Sequence, residues 1–546
     1  MALFPVVTSL ITPVLSNTAG GSASAPASSL QAETTAFLAV ASGTYNAAEQ
    51  TAIDNLFINL KTGLTHATSP YSGFDFLAAH NLANSADALR YMNAPSTLMT
   101  NVSATAHAAA EGFTGDGSAD YINTNYNPTD DGTQYALDSA SIAVWVRAVG
   151  SSAASDYFAG VNDGGVRTSV RRQSDGSAWD CRGPNSAATT LTATTLSQNA
   201  TGLLGVNRSG SAARQTYRNG VEESNDTETS TSLPAIDLFL FALNSSGSPA
   251  AYSDGQISLS FAGRSFTANE WVDIHAAFDA FILEYANAYL GYTYTNIEAA
   301  NYELQADGTG WDDAFRGDVD QLISGLKFGT INATNTYPGF DRLLLMDTPN
   351  EADSLRYLNA PTLTATNVSA TAFTATEGFT GDGVADRIDT GYDASVDGSQ
   401  WVQDSASLFV WVRTADATNS GLTGSYDVTA RGYIEVSASS YQARGPNTGN
   451  TVTYFGSLAA TSTGLLSLNR SGSAAVENYH NGSLVGTGTA SSTSVTVGDM
   501  SVLAITNLTY SSGQASMWGA GRSFTANEWA DIHAAFNTYR TAREAA

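Results

Sequence analysis

The chain has 546 residues, 42% of them hydrophobic, with 51 acidic against 23 basic side chains and a net charge of −28 at pH 7. That length and apolar content suffice for several packed domains, while the acid excess repels polyphosphate and anionic lipid and excludes nucleic acid and membrane insertion as main modes of action. Only two of the bases are lysines, Lys61 and Lys327, and the lone cysteine, Cys181, excludes an intrachain disulfide and a cysteine-based zinc site.

The chain opens on an uncharged, apolar stretch (Leu3, Phe4, Val6, Val7, Leu10, Ile11) followed by a Gly/Ala/Ser/Pro-rich segment. The apolar run is too short to span a bilayer and carries Pro5 and Pro13. No Lys or Arg precedes it, so a secretory signal is not expected either. We read residues 1–44 as an anchoring arm. Ile53, Leu56, Phe57 and Leu60 then fall at helical spacing, and Val319, Leu322, Ile323 and Leu326 repeat them 266 residues later.

Between its helices each repeat reads as β. Ser141 to Arg147 and Ser407 to Arg413 alternate, and Asn219-Gly220 and Asn481-Gly482 are hairpin signals. Gly115-Asp116-Gly117 and Gly381-Asp382-Gly383 also read as hairpin turns. Each repeat closes on nearly the same words, AGRSFTANEWVDIHAAF at Ala262–Phe278 and AGRSFTANEWADIHAAF at Ala520–Phe536. Thr267 and Glu270, like Thr525 and Glu528, form a capping box that starts a helix. Trp271, Ile274, Phe278 and Phe281 line one face of it. Internal duplication therefore sets the plan: an arm at 1–44, a first helix and β module at 45–291, a linker at 292–310, and a second helix and β module at 311–546. The copies differ in length within 148–181 and 221–262, and any site is expected there.

Phe113-Thr114-Gly115-Asp116-Gly117-Ser118-Ala119-Asp120-Tyr121-Ile122, with Ser139 to Val146 and the Asn219-Gly220 hairpin, resembles a laminin-G-type domain, and the second repeat matches at corresponding positions. The resemblance implies a mainly β chain of two tandem concanavalin A-like jelly-roll sandwiches, each flanked by an N-terminal and a C-terminal helix. The composite, with its Gly-Phe-Thr-Gly-Asp-Gly start and Asp389 to Tyr392, resembles virion proteins of tailed bacteriophages. That implies a place on the particle surface, contact with other virion proteins through the arm, a homo-oligomeric state there, and host-surface polysaccharide as a partner.

Candidate chemistry is sparse. Paired carboxylates across a scissile bond are not evident, since Asp237 and Glu435 stand alone. No Gly-x-Ser-x-Gly elbow occurs. The expectation is therefore no enzymatic activity. The Arg-Gly-Pro-Asn turns follow an aromatic in both repeats. Trp179, Arg182 and Asn185, with Tyr441, Arg444 and Asn447, read either as a sugar platform or as tight turns with the aromatic in the core. Asp116 and Asp120, with Asp382 and Asp386, read either as calcium ligands or as turn formers. His275 and His533 lie on the closing helices without partners at metal-ligand spacing. The functional expectation is a surface-exposed virion protein in host-glycan adhesion or capsid decoration, with a secreted polysaccharide hydrolase or a non-binding spacer as alternatives.

Overall fold

The structure, a computed structural model, describes residues 30–150, 156–172, 179–186, 191–193, 201–306, 308–416, 420–426, 430–437, 440–448, 452–505 and 509–545. The apolar tip of the arm lies outside the described residues. The protein is mainly β, built of several antiparallel sheets with few helices. Among the described strands the single parallel pairing joins Leu243–Ser245 to Asp156–Asp163.

In the first repeat, one sheet runs in the order Val221–Asp226, Ala213–Arg218, Gly202–Gly210, Ala140–Ala148, Gln256–Gly263, Gly112–Thr114, Ala106–Ala108, and Phe74–Ala79 also pairs with Gln256–Gly263. The other runs Leu191–Ala193, Trp179–Ser186, Val166–Arg172, Asp156–Asp163, Phe239–Leu240, Tyr121–Asn123, Thr100–Val102. Two seven-strand paths in the same order recur in the second repeat. Val144 and Val206 of the first sheet share one buried core with Phe158, Val170 and Trp179 of the second.

The first sheet is buried on both sides because helices cover its far face. The closing helix Ala268–Leu290 starts at the Thr267–Glu270 capping box, and Arg264 pairs with Glu270 at 2.5 Å. Its Trp271 is fully buried and stacks on Tyr217, with centroids 4.7 Å apart and planes 8° from parallel. Gly205 makes room: a Cβ there would sit 2.4 Å from Cη2 of Trp271. The opening helix Ala47–Thr62 packs alongside, burying Ile53, Leu56, Phe57 and Leu60. In the second repeat Asp313–Phe328 and Ala526–Ala545 take these places.

The structure departs from the sequence reading in two places. Residues 30–44 are not all arm. Ala32–Val40 is a helix that buries Phe37, and Lys61 ties it to the opening helix through Glu33 at 2.5 Å. Its counterpart is Ile297–Gln305, within the expected linker, tied by Lys327 to Glu298 at 2.7 Å. Each repeat thus begins with a short lead helix. Second, the Gly-Asp-Gly turns close no hairpin. Gly115-Asp116-Gly117 carries the chain from Gly112–Thr114 in one sheet to Tyr121–Asn123 in the other, and Gly381-Asp382-Gly383 does the same. The Asn-Gly signals do form hairpins, with Asn219 and Gly220 at φ 48° and 80°, as that turn requires.

Candidate functional site

The strands Trp179–Ser186 and Ser440–Thr448 carry the Arg-Gly-Pro-Asn residues. Alternation decides which way each side chain points. Trp179 and Cys181 face the core, and the indole packs on Phe158 at 5.2 Å. Tyr441 and Ala443 do likewise, with the Tyr441 hydroxyl donating to the carbonyl of Ser462 at 2.7 Å. Trp179 and Tyr441 are 0% exposed, so neither offers a face to a sugar ring.

Asn185 and Asn447 are also buried, at φ 63° and 61°. The amide of Asn185 donates to the carbonyls of Ala136 (3.1 Å) and Leu137 (2.9 Å). That of Asn447 donates to those of Val402 (3.0 Å) and Gln403 (2.9 Å). Pro184 and Pro446 accept from Nε of Arg208 and Arg470, each at 2.6 Å. The expected sugar platform is therefore corrected for these four residues: they hold a left-handed turn and a core.

Arg182 and Arg444 are different. Being one residue past Cys181 and Ala443, they lie on the face away from the core, half-buried. In the first repeat this face places Arg182 across from Ser169, with Arg167 and Arg171 on either side along the same strand. Tyr157 lies beneath: the Arg171 guanidinium sits 5.3 Å from its ring centroid. In the second repeat Arg444 lies across from Tyr433, with its guanidinium 5.6 Å from that ring and its Nε donating to the phenol. Arg431 lies 4.1 Å over Tyr426 and donates to its hydroxyl at 2.9 Å. Glu435 stands across from Gln442. Burial pushes the Glu435 carboxyl up, against the pull of Arg444.

Tyr157 and Tyr433 are almost wholly buried, at 3% and 2% exposure. They serve as supports, while the half-buried Arg171, Arg182, Arg444 and Gln442 bring donors to the surface. Tyrosines beside the guanidinium groups restrict them, and a planar fork of N–H donors grips carboxylates and hydroxyls. Parity along the strand was the signal that separated Arg182 from Trp179. Tyr157, Arg167 and Arg171 fall inside the 148–181 window where the repeats differ in length.

The calcium residues do not fit a calcium cage. Oδ1 of Asp116 accepts the backbone N–H groups of Ser118, Ala119 and Asp120 at 2.8–2.9 Å, and Oδ2 accepts the Ser118 hydroxyl at 2.6 Å. Asp382 accepts the N–H groups of Val384, Ala385 and Asp386. Those bonds hold both carboxyls below the usual range and occupy Oδ1 of each, with Oδ2 of Asp116 as well, oxygens that a metal would need. Asp120 and Asp386 are pushed up, by burial and then by the neighbouring Asp116 and Asp382. Among the described residues no three His, Cys, Asp or Glu side chains gather to hold a metal.

His275 and His533 lie flat on Trp145 and Trp411, 8° and 5° from parallel. Burial lowers His275 to about 4, which keeps it neutral. Asp237 accepts from the amide of Asn123 at 2.9 Å.

No family model matches the chain, and no curated protein does. Solved structures do. Trypanosoma rangeli sialidase matches over 70% of this chain and 62% of its own, at 12% identity and TM-score 0.35. Ruminococcus gnavus IT-sialidase CBM40 bound to alpha2,6 sialyllactose matches over 33% and 98%, at 11% identity and TM-score 0.24. The binding domain of Paraclostridial Mosquitocidal Protein 1 matches over 38% and 53%, at 8% identity and TM-score 0.30. Likenesses this weak assign neither a family nor an activity. One expectation is corrected by them. The outright exclusion of catalysis from the missing carboxylate run does not stand, because sialidases are among the structures that this chain resembles.

Proposed function

We propose that this is a glycan-adhesion protein whose two β modules are concanavalin A-like jelly rolls presenting the same sheet face to saccharide. One observation carries the reading: Arg182 and Arg444 recur at one point of that face, each near an arginine–tyrosine contact. Guanidinium groups supply several directed donors to ring hydroxyls and carboxylates, and the amide of Gln442 adds more.

The test is a glycan array probed with the full chain and with the double variant Arg182→Ala/Arg444→Ala. Signal that the variant loses supports the reading. Equal signal from both proteins, or silence across the array, removes it. Fresh reducing ends released from a bound glycan would make the protein a hydrolase acting at this face.

The setting we propose is the surface of a bacteriophage particle, in tail adhesion or capsid decoration. The N-terminal residues seat the chain on other virion proteins as a homo-oligomer. The support is the resemblance of the Gly-Phe-Thr-Gly-Asp-Gly composite to such proteins. Immunogold labelling of intact particles tests it, and unlabelled particles would refute it.

A further inference from the structure

The outer face of the second sheet carries an aromatic cluster in the first repeat that the second repeat lacks. Strand pairing traces the face. Arg182 lies opposite Ser169, Ser169 opposite Gly160, Gly160 opposite Phe239, and Phe239 opposite Asn123. Residues paired directly project to the same side, so Phe239 shares the face of Arg182, about 14 Å away across three strand spacings. Its neighbours Leu238 and Leu240 line the core, and Phe239 does not. Tyr121, two residues before Asn123, projects the same way. The Tyr121 ring lies 4.6 Å from that of Phe239 and 6.5 Å from that of Tyr252. Phe239 is covered, at 5% exposure, while Tyr121 and Tyr252 are half-buried and reach the surface. Among the described residues neither phenol hydroxyl makes a hydrogen bond. Asn123 donates to Oδ2 of Asp237 at 2.9 Å, which sets a carboxylate at the edge of the rings. Its Oδ1 accepts no hydrogen bond among the described residues.

The second repeat keeps the path and changes the side chains. Arg444, Tyr433, Gly424, Ser501 and Asp389 lie opposite one another in the same order. Ser501 thus stands for Phe239, and Arg387 for Tyr121. Of the three rings only Tyr510 remains, next to Ser511 as Tyr252 is next to Ser253. Asp237, Phe239 and Tyr252 all fall in the 221–262 window where the repeats differ in length.

We propose that Tyr121 and Tyr252, packed with Phe239, form a saccharide subsite of the first repeat alone. It takes a neutral pyranose whose apolar C–H face stacks on the phenols while Asp237 accepts from its hydroxyl groups. This rests on reading the sheet face as a glycan surface. Aromatic rings give the apolar face of a sugar its partner, and a carboxylate oxygen is an acceptor for hydroxyl donors. A uronic or sialic carboxylate would meet Asp237 as a like charge, which disfavours it.

The experiment titrates the full chain on three immobilised probes: cellohexaose, galactohexaose and oligogalacturonate. The proteins are wild type, Tyr121→Ala/Tyr252→Ala, Tyr121→Arg, Asp237→Asn and Tyr510→Ala. Wild type should bind a neutral probe more tightly than oligogalacturonate. The double alanine variant should weaken that binding about tenfold or more. Tyr121→Arg, which installs the residue of the second repeat, and Asp237→Asn should each weaken it too, and Tyr510→Ala should not. Should the double alanine variant lose the wild-type circular dichroism spectrum, Tyr121→Arg and Asp237→Asn decide the matter. Neutral binding that survives these variants but is lost in Arg182→Ala/Arg444→Ala would overturn this subsite and leave the glycan face standing. Binding of oligogalacturonate alone would overturn the neutral assignment. Silence of every probe with every protein would overturn both the subsite and the glycan face.

Discussion

Asp273, on the closing helix of the first repeat, is held by Thr68, which lies 205 residues earlier: the Thr68 hydroxyl donates to Oδ2 at 2.6 Å and its N–H at 3.0 Å. Oδ1 takes the N–H groups of Thr65 and His66 at 2.6 and 2.9 Å. Asp531 repeats the arrangement with Ile331, Asn332 and Thr334. One carboxylate thus caps the loop after the opening helix and locks the opening helix of a repeat to the closing one. Replacing Asp273 with Ala leaves three backbone donors unmet and should cost about 3 kcal/mol, read as a lower urea midpoint. An unchanged midpoint would refute this role.

The same carboxyls predict a pH dependence. Burial pushes Asp273 and Asp531 up, but the bonds from the loops outweigh it and hold both below the usual range. Their folded values lie below their unfolded values, so they stabilise above the unfolded value of about 4. That stability is lost as pH falls through the folded values. Wild type should lose stability over that acid range, and Asp273→Asn should lose less of it. Parallel curves for the two proteins would contradict the assignment.

His80 predicts a second slope at milder pH. It is fully buried between the Ala88 carbonyl at 2.8 Å and the Ser260 hydroxyl at 2.7 Å, and burial lowers it to about 4. The unfolded chain takes up this proton near pH 6.5 and the folded chain does not, so stability declines as pH falls from about 6.5 towards 4. A His80→Gln variant should show a shallower decline in that window by thermal melts. An equal decline would place the effect elsewhere.

The two repeats exchange one aromatic ring across a strand pair. Phe261 lies opposite Ala143 in the first, and Gly519 lies opposite Phe409 in the second. A Cβ at Gly519 would sit 2.4 Å from the Phe409 ring. Ala143→Phe alone should overpack by about 1–3 kcal/mol, and Phe261→Gly alone should lose about 3–5 kcal/mol. The double variant should cost clearly less than their sum, because the ring returns to the same space from the other strand. Strict additivity in chemical denaturation would show that the space is not shared.

Local signals carried much of this architecture. The capping box at Thr267 and the Asn219-Gly220 turn are decided by a few adjacent residues, so both were legible. The Gly115-Asp116-Gly117 turn was misread because a turn signal does not say which sheet the next strand joins. The lead helix at Ala32–Val40 has no side-chain cap at Gln31 and went unseen, although Lys61 and Lys327 at the repeat offset pointed to it. At the candidate site the Arg-Gly-Pro-Asn words grouped side chains that the strand separates. Trp179 and Arg182 belong to opposite faces, and Tyr157 reaches the arginines only through strand pairing.

The lead helix of the second repeat has one more contact. Asn301 accepts from Arg147 and Gln305 donates to Glu111, both in the first repeat. On its other side Tyr302 donates to the Asp353 carbonyl at 2.8 Å, and Glu303 pairs with Arg316 at 2.6 Å. The joint is a clamped helix, not a slack tether. On the proposed glycan reading, a polymer gripping both modules meets a fixed span, and chains whose repeat length mismatches it gain nothing from the second module.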